Sequence, residues 1–168
     1  MTVLAAIDVQ YDDPHAAAAC VAFNDWTDGT ADRHASIRID GVAPYVPGRF
    51  YERELPCILA VIEEIKQSFE LIIIDGYVWL AHERPGLGQY LFEALGGGTP
   101  VVGVAKSEFA DNDAAVPILR GSSGNPLFVT AAGCDLQTAA SNVLRMHGAN
   151  RIPTLLKSVD TLCRRAIG

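Results

Sequence analysis

Residues 71–86 read LIIIDGYVWLAHERPG, and this stretch decides the fold class. Its first four residues are all aliphatic, which predicts a strand covered on both faces, as in a parallel or mixed sheet. The strand ends on the carboxylate of Asp75, and Gly76 follows directly. Burying a carboxylate without a partner costs several kcal/mol. Asp75 therefore either caps the next turn or belongs to a site that holds its charge.

Three further strands are predicted before this one, over residues 3–10, 16–23 and 35–40, where apolar residues are continuous or alternate with polar ones. The connections between them are too short for crossover helices, so we expect an antiparallel meander. Residues 41–50, GVAPYVPGRF, contain two prolines and two glycines and are predicted to form a loop.

A helix is predicted from about residue 51, because apolar residues recur there with helical spacing. Pro56 is tolerated in the first turn of a helix, so Glu54 is expected at or near the helix start. The later pattern predicts a helix over roughly 86–95, a strand over 99–105 and a loop-rich segment over 107–126. A short strand over 126–130, a helix over 134–148 and a last helix that begins at Pro153 are predicted after it. We expect one α/β ribonuclease H-like domain over residues 1–168, in which a mixed sheet of three antiparallel strands and then parallel strands is flanked by helices.

Composition narrows the class of protein. The chain carries 13 Lys and Arg against 20 Asp and Glu, a formal charge of −7. This negative charge argues against bulk electrostatic binding to nucleic acid, which normally relies on a basic face. If some of the acids hold divalent cations, part of the negative charge is neutralised and the argument against nucleic-acid binding is weaker. No apolar run reaches the roughly 18 residues of a membrane helix, and no basic region precedes the first apolar run. We expect a cytoplasmic protein without a membrane partner, and reduced core thiols at Cys20, Cys57, Cys134 and Cys163.

Four acids occupy positions where burial is expected. Asp8 lies inside the apolar run VLAAIDV, Glu54 lies near a helix start, Asp75 ends an apolar strand, and Asp160 lies on the apolar stripe of the last helix. Clustered buried carboxylates repel each other unless a cation neutralises them. Oxygen ligands favour magnesium or manganese over zinc. The set indicates metal-assisted phosphodiester chemistry.

Four stretches together resemble the endonuclease V family: AAIDVQY, PYVPGRFYERELP, IIIDGYVWLAHERPGLG and TPVVGVAKSEF. The resemblance covers most of residues 3–108 and returns at RIPTLLKSVD, 151–160. It implies a ribonuclease H-like, magnesium-dependent endonuclease that nicks nucleic acid near deaminated purines, chiefly inosine, as part of nucleic-acid repair. The expected partner is inosine-containing DNA or RNA, and we expect the chain to act as a monomer.

The resemblance also implies roles for individual residues. The metal, Mg²⁺ with Mn²⁺ as a substitute, would be bound by the acids Asp8, Glu54, Asp75 and Asp160. A wedge that enters the helix beside the lesion would be formed by Pro44, Tyr45, Val46 and Pro47. The pocket for the displaced base would be formed by Gly76, Gly86 and Leu87, where small residues let backbone amides approach a purine edge. Lys106 would contact the cut phosphate or stabilise its charge, and His82 would lie near the attacking water or the scissile phosphate.

The sequence departs from the family pattern around the base pocket. Tyr77 stands at a position that is polar in the family, and Tyr90 stands where a histidine is common. One additional residue separates Asp75 from His82, and Glu83 replaces the usual proline. The metal-binding acids are retained, but the choice of substrate does not follow from the resemblance.

Two other classes of function remain open. A binding protein could keep the fold and the base pocket yet cut slowly or not at all. A phosphatase could use Asp8 as its nucleophile, although such enzymes usually have a second acid two residues later, where this chain has Gln10. A nucleotide-binding loop is disfavoured, because neither GGG at 96–98 nor GSSGNP at 121–126 forms a phosphate-binding motif.

Overall fold

A computed structural model describes residues 2–168, apart from the side chain of Phe50. The strands are β1 (Leu4–Asp12), β2 (His15–Phe23), β3 (Arg33–Ile39), β4 (Leu71–Asp75), β5 (Trp79–Ala81), β6 (Arg84–Pro85), β7 (Val101–Ala105), β8 (Val116–Ile118) and β9 (Leu127–Ala132). The helices are α1 (Phe50–Ile65), α2 (Leu87–Ala94), α3 (Leu136–Leu144) and α4 (Thr154–Ile167). Every strand and helix expected from the sequence is present.

Seven strands form one mixed sheet in the order β3-β2-β1-β4-β7-β9-β8, while β5 and β6 form a separate hairpin. β1, β2 and β3 are antiparallel, and β4 and β7 continue the sheet parallel to β1. The predicted fold class is therefore confirmed. Beyond β7 the sheet turns antiparallel again through β9 and β8. β8 lies inside the segment predicted as loop, and its central Pro117 is consistent with an edge strand.

Two apolar layers cover the sheet. Alternate residues of β1 face opposite sides, so Leu4 and Ala6 pack with α3 and α4 while Ala5 and Ile7 pack with α1 and α2.

Three of the four cysteines are buried and Cys134 is exposed, so the prediction of core thiols is wrong for that residue. No helix within residues 2–168 is long and apolar enough to cross a membrane.

Helix α1 begins at Phe50, close to the expected start at about residue 51, but Pro56 does not lie in its first turn, which corrects the position of Glu54. Pro56 lies inside the helix, and Glu54 is in its second turn. The proline removes one amide donor, so the carbonyl four residues earlier, that of Glu52, loses its helical partner. Glu52 is exposed, and water can satisfy this carbonyl, which keeps the cost of the interior proline small.

Candidate active site

The sheet topology brings two of the predicted acids together. β1 is longer than β4, and the parallel pairing of the two strands runs from Leu4–Leu71 to Ile7–Ile74. One further step along the same register sets Asp8 beside Asp75, where β4 ends and β1 continues. Carboxyl ends of parallel strands are the usual position of sites in such sheets. The apolar strand β4 therefore ends on Asp75 because this position lies beside Asp8, at the edge of the sheet where a site can form.

Glu54 reaches the same place from α1. A cavity of about 50 Å³ is lined by the three carboxylates of Asp8, Glu54 and Asp75. The rest of its lining is apolar: Ile7, Val9, Ile58, Ile74 and Leu87. Burial leaves charge on Asp8 and Glu54 poorly solvated, whereas the side chain of Asp75, which was expected to be buried, is 37% exposed.

The pKa values of Asp8 and Glu54 are raised by burial and by the neighbouring carboxylates. Burial, and next the charge of Asp75, raise the pKa of Asp8 from 3.8 to about 6. Burial, and next the charges of Asp75 and Asp8, raise the pKa of Glu54 from 4.5 to about 7. Full ionisation of the set is therefore unfavourable without a counter-charge.

The donor set fits a magnesium-type ion in its chemistry. All three groups are oxygen donors, and the cavity is large enough for a small cation with one or two waters. Within the described part of the chain, no three acidic, histidine or cysteine side chains already converge as metal ligands do. Lys106 supplies part of the compensating charge, with its Nζ 3.3 Å from Asp75 Oδ2.

Asp160 lies next to these acids but has its own cation. Both of its carboxylate oxygens accept hydrogen bonds of 3.1 Å from Arg164 Nε, one turn further along α4. Burial acts to raise the Asp160 pKa, but the bonds from Arg164 and the neighbouring groups bring it below its ordinary value. The side chain is 16% exposed, which agrees with its predicted place on the apolar stripe.

Gln10 joins Asp160 to Asp8 and was not predicted as a site residue. Its Nε2 donates to Asp8 Oδ2 at 3.1 Å and to Asp160 Oδ1 at 3.0 Å. Side chains two residues apart on a strand share one face, and this spacing from Asp8 is the signal that could have identified Gln10. The four predicted acids thus form one continuous group, three around the cavity and one linked through an amide.

The residues predicted to form a base pocket do line one pocket. Gly76, Gly86 and Leu87 border a space of about 230 Å³ beside the carboxylates. The sequence analysis did not identify the rest of the lining, which is largely aromatic or apolar: Tyr51, Glu54, Asp75, Tyr77, Leu80, Pro85 and Phe109. Glu54 and Asp75 therefore belong to both the cavity and the pocket.

The pocket glycines serve a close approach of the backbone. A Cβ at position 86 would lie 2.7 Å from the carbonyl oxygen of Tyr77, so only glycine fits there. The amide of Gly86 donates to the carbonyl of Val78 at 2.8 Å, and that of Gly76 donates to Val104 at 3.1 Å. These two amides stabilise the pocket wall and are already engaged, which differs from the expectation that they meet a purine edge.

Two hydroxyl groups fix the wall of the pocket. The buried Thr130 Oγ1 accepts a hydrogen bond of 2.8 Å from the amide of Val78. The hydroxyl of Tyr77 donates to the carbonyl of Ser107 at 2.7 Å and accepts from the amide of Phe109 at 3.1 Å. Tyr77, which departs from the family pattern, thus holds the segment after β7 against the pocket.

The wedge loop and the histidine lie at the surface. Residues 44–47 are exposed, with Tyr45 53% and Val46 42% accessible. His82 lies in the turn of the β5–β6 hairpin with an 81% exposed side chain, and its Nε2 is 4.0 Å from Glu83. His82 lines neither the carboxylate cavity nor the base pocket, so the structure does not bring it together with the acids.

Fold and site together define a ribonuclease H-like α/β protein with carboxylates at the carboxyl end of its central strands. The endonuclease V family model matches residues 1–161, and the chain belongs to that family. An endonuclease V from Streptomyces avermitilis is 33% identical, over 96% of this chain and 79% of that protein. The crystal structure of an endonuclease V from the same organism superposes with a TM-score of 0.79 at 31% identity, covering 98% of this chain and 81% of that one.

A more distant relative has the same fold. Ciona intestinalis endonuclease V superposes with a TM-score of 0.80 at 17% identity, over 99% of this chain and 85% of that chain. That protein was crystallised with a 24mer DNA containing an inosine followed by a ribo-adenosine.

Proposed function

We propose that this protein is a divalent-metal-dependent endonuclease that hydrolyses a phosphodiester near a deaminated purine, chiefly inosine, in DNA or RNA. One observation carries the proposal: Glu54 and Asp75 line both the carboxylate cavity and the adjoining aromatic pocket. A base held in the pocket would keep its own backbone beside the acids. Recognition and hydrolysis would then use a single continuous site.

The carboxylates of Asp8, Glu54 and Asp75 would hold the ion. Bound magnesium or manganese would supply an activated water and stabilise the leaving oxygen. Lys106 is well placed to attract a phosphate, because its side chain is 41% exposed and its ammonium already lies beside Asp75. Asp160, joined to Asp8 through Gln10, completes the acidic group, and its pairing with Arg164 limits the added repulsion.

The pocket has the chemistry of a site for a flat neutral base. Its volume of about 230 Å³ equals that of roughly eight liquid waters. Rings of Tyr51, Tyr77 and Phe109 supply surfaces for stacking, a contact worth about 1–3 kcal/mol per base. Tyr51 is itself stacked on Tyr90, with ring centroids 3.7 Å apart, so this wall is preorganised.

The exposed loop at residues 44–47 would enter the space left by the displaced base. Tyr45 precedes the pocket residue Tyr51 by only six positions, so the loop joins the chain close to the pocket. Prolines on both sides of Tyr45 and Val46 restrict the loop. The inosine-containing DNA bound to the Ciona relative supports this choice of lesion for a member of the same family.

A second function is favoured by one feature of the acids. Lys106 and Arg164 already neutralise part of their charge, and no three ligating side chains converge within the described residues. A protein that binds inosine-containing strands without cutting them would show these properties. It would use the same pocket, so binding alone does not separate the two functions.

A nicking assay separates them. End-labelled DNA and RNA strands, each with one inosine, are incubated with Mg²⁺, Mn²⁺ or EDTA. We expect metal-dependent cutting near the inosine, its loss in Asp75→Asn, and its retention in Glu64→Gln, which removes an exposed carboxylate of α1 away from the site. Binding without cutting under all metal conditions would establish the second function, and the ratio of DNA to RNA products would give the preferred sugar.

A further inference from the structure

We propose that Arg151 and Lys157 form a subsite for a backbone phosphate of the nucleic acid, next to the carboxylate cavity and opposite the base pocket. These two cations border a cavity of about 350 Å³ between the loop before α4 and the first turns of that helix. Its remaining lining carries no acid: Gly148, Asn150, Ile152 and Thr154. The inference rests on the proposed function and specifies where that function would hold the strand.

These two cations differ from most others near the site. Lys106 is paired with Asp75 and Arg164 with Asp160. Within residues 2–168, no carboxylate lies within ion-pair distance of Arg151 or Lys157. In a chain with a net charge of −7, two cations without an ion pair on one concave surface form a local site that favours an anion.

The cavity lies next to the proposed catalytic site. Ile152 lines this cavity and also a small space bordered by Asp8, Asp75 and Lys106. Arg151 donates from Nη2 to the carbonyl of Lys106, which binds the loop before α4 to the end of β7. The cavity is therefore near enough to the carboxylates to bind a neighbouring phosphate of a strand that is cut there.

Arg151 is held in place and retains donors for a ligand. Its Nε donates to the carbonyl of Asn125 at 3.0 Å, and its Nη2 donates to that of Pro126 at 3.0 Å. Within the described residues its Nη1 has no such bond. Its Nε and Nη2 therefore hold the guanidinium in place, while Nη1 can donate a hydrogen bond to a phosphate oxygen. The amide of Thr154 already donates to the carbonyl of His147 at 2.8 Å, so the two side-chain cations provide the charge.

Lys157 is the better residue for a test, because its side chain is exposed and contributes no described bond to the fold. The matched control is Lys66, an exposed lysine at the far end of α1. Lys157→Gln and Lys66→Gln remove the same charge. Affinity for an inosine-containing single strand is measured by fluorescence anisotropy in EDTA over a series of salt concentrations. We expect Lys157→Gln to lower the slope of log affinity against log salt by about 0.7, the value of one phosphate contact on a single strand, and Lys66→Gln to leave the slope unchanged.

A second measurement locates the phosphate. Strands are prepared in which one phosphate at a time is replaced by a neutral methylphosphonate. At one position outside the inosine nucleotide, the replacement should weaken binding to the wild type several-fold and have no further effect on Lys157→Gln. If the two losses add at every position, or if both glutamine variants change the slope equally, the subsite is wrong.

The outcomes also separate this inference from the proposed function. Wild-type cutting near inosine with an unchanged slope in Lys157→Gln would overturn the subsite and leave the nuclease intact. A changed slope in a protein that never cuts would support the subsite within a binding protein. A wild type that binds no inosine strand at any salt concentration would overturn both.

Discussion

Replacing Asp75 with asparagine is expected to stabilise the protein in EDTA, provided that the neighbouring acids are ionised. The rise of the Asp8 pKa from 3.8 to about 6 means that ionising this group costs the folded protein about 3 kcal/mol. The rise of the Glu54 pKa from 4.5 to about 7 represents a similar cost of about 3 kcal/mol. Burial is the larger cause for both groups and the charge of Asp75 the second, so we assign to Asp75 about 1 kcal/mol of each cost.

The sign of the pH dependence follows from these pKa values. Asp8 and Glu54 keep their protons to a higher pH in the folded chain than in the unfolded chain, so folding binds protons between about pH 4 and pH 7. Their contribution to the free energy of unfolding is therefore present at low pH and is lost as the pH rises through the folded values. Losing the exposed ion pair between Asp75 and Lys106 offsets up to about 1 kcal/mol. The net gain for Asp75→Asn is about 1 kcal/mol at pH 8, with no gain or a slight loss at pH 5.

Urea denaturation in EDTA at the two pH values measures this difference. With a denaturant slope of about 2 kcal/mol per molar, the expected gain raises the midpoint at pH 8 by about 0.5 M. Glu64→Gln, which removes an exposed carboxylate of the same helix as Glu54, should leave the midpoint unchanged at both pH values. A shift of the same size and sign at pH 5 and pH 8 for Asp75→Asn would refute the reasoning, because repulsion between ionised acids would then not be its cause.

Three further substitutions test the scaffold of the site. Gly86→Ala places a Cβ 2.7 Å from the Tyr77 carbonyl oxygen and should lower the free energy of unfolding by about 1–3 kcal/mol, which a urea midpoint detects. Thr130→Val leaves the Val78 amide without its acceptor and should lower the free energy of unfolding by about 1–3 kcal/mol. Thr130→Ser keeps the hydroxyl and should recover this loss; an equal loss in both variants would contradict the role of the hydrogen bond. Arg120→Met leaves five carbonyls without their donor and should lower the melting temperature by about 10 °C. An unchanged melting temperature would contradict the structural role of this buried guanidinium.

The central part of the fold could be predicted because its sequence signals are local and mutually consistent. The continuous apolar run at 71–75 and the acid inside VLAAIDV indicate adjacent strands of one sheet. Once these strands are parallel neighbours, their carboxyl ends fix Asp8 beside Asp75. The acid at position 160 could be identified from helical spacing alone, because Leu156 and Cys163 define the buried face of α4.

The remainder depends on contacts between distant segments. The walls of the base pocket come from five separate elements and the loops that join them, so no spacing in the sequence joins Tyr51 to Phe109. Arg120 reads as a surface cation, yet it is 4% exposed and donates to the carbonyls of the loop before α4. Pro56 was expected in the first turn of α1 but lies inside the helix, because an interior proline next to an exposed carbonyl costs little. The exposed place of His82 depends on the separate β5–β6 hairpin, which the pattern did not predict.

The account depends most on the claim that Asp8, Glu54 and Asp75 jointly hold one divalent ion. Titration with Mn²⁺, with the free ion followed by electron paramagnetic resonance, tests this claim without requiring catalysis. The account predicts saturable binding by the wild type and by Glu64→Gln, and a loss of that binding in Asp75→Asn and in Glu54→Gln while both variants remain folded. Equal Mn²⁺ binding by the wild type and the two site variants would contradict it.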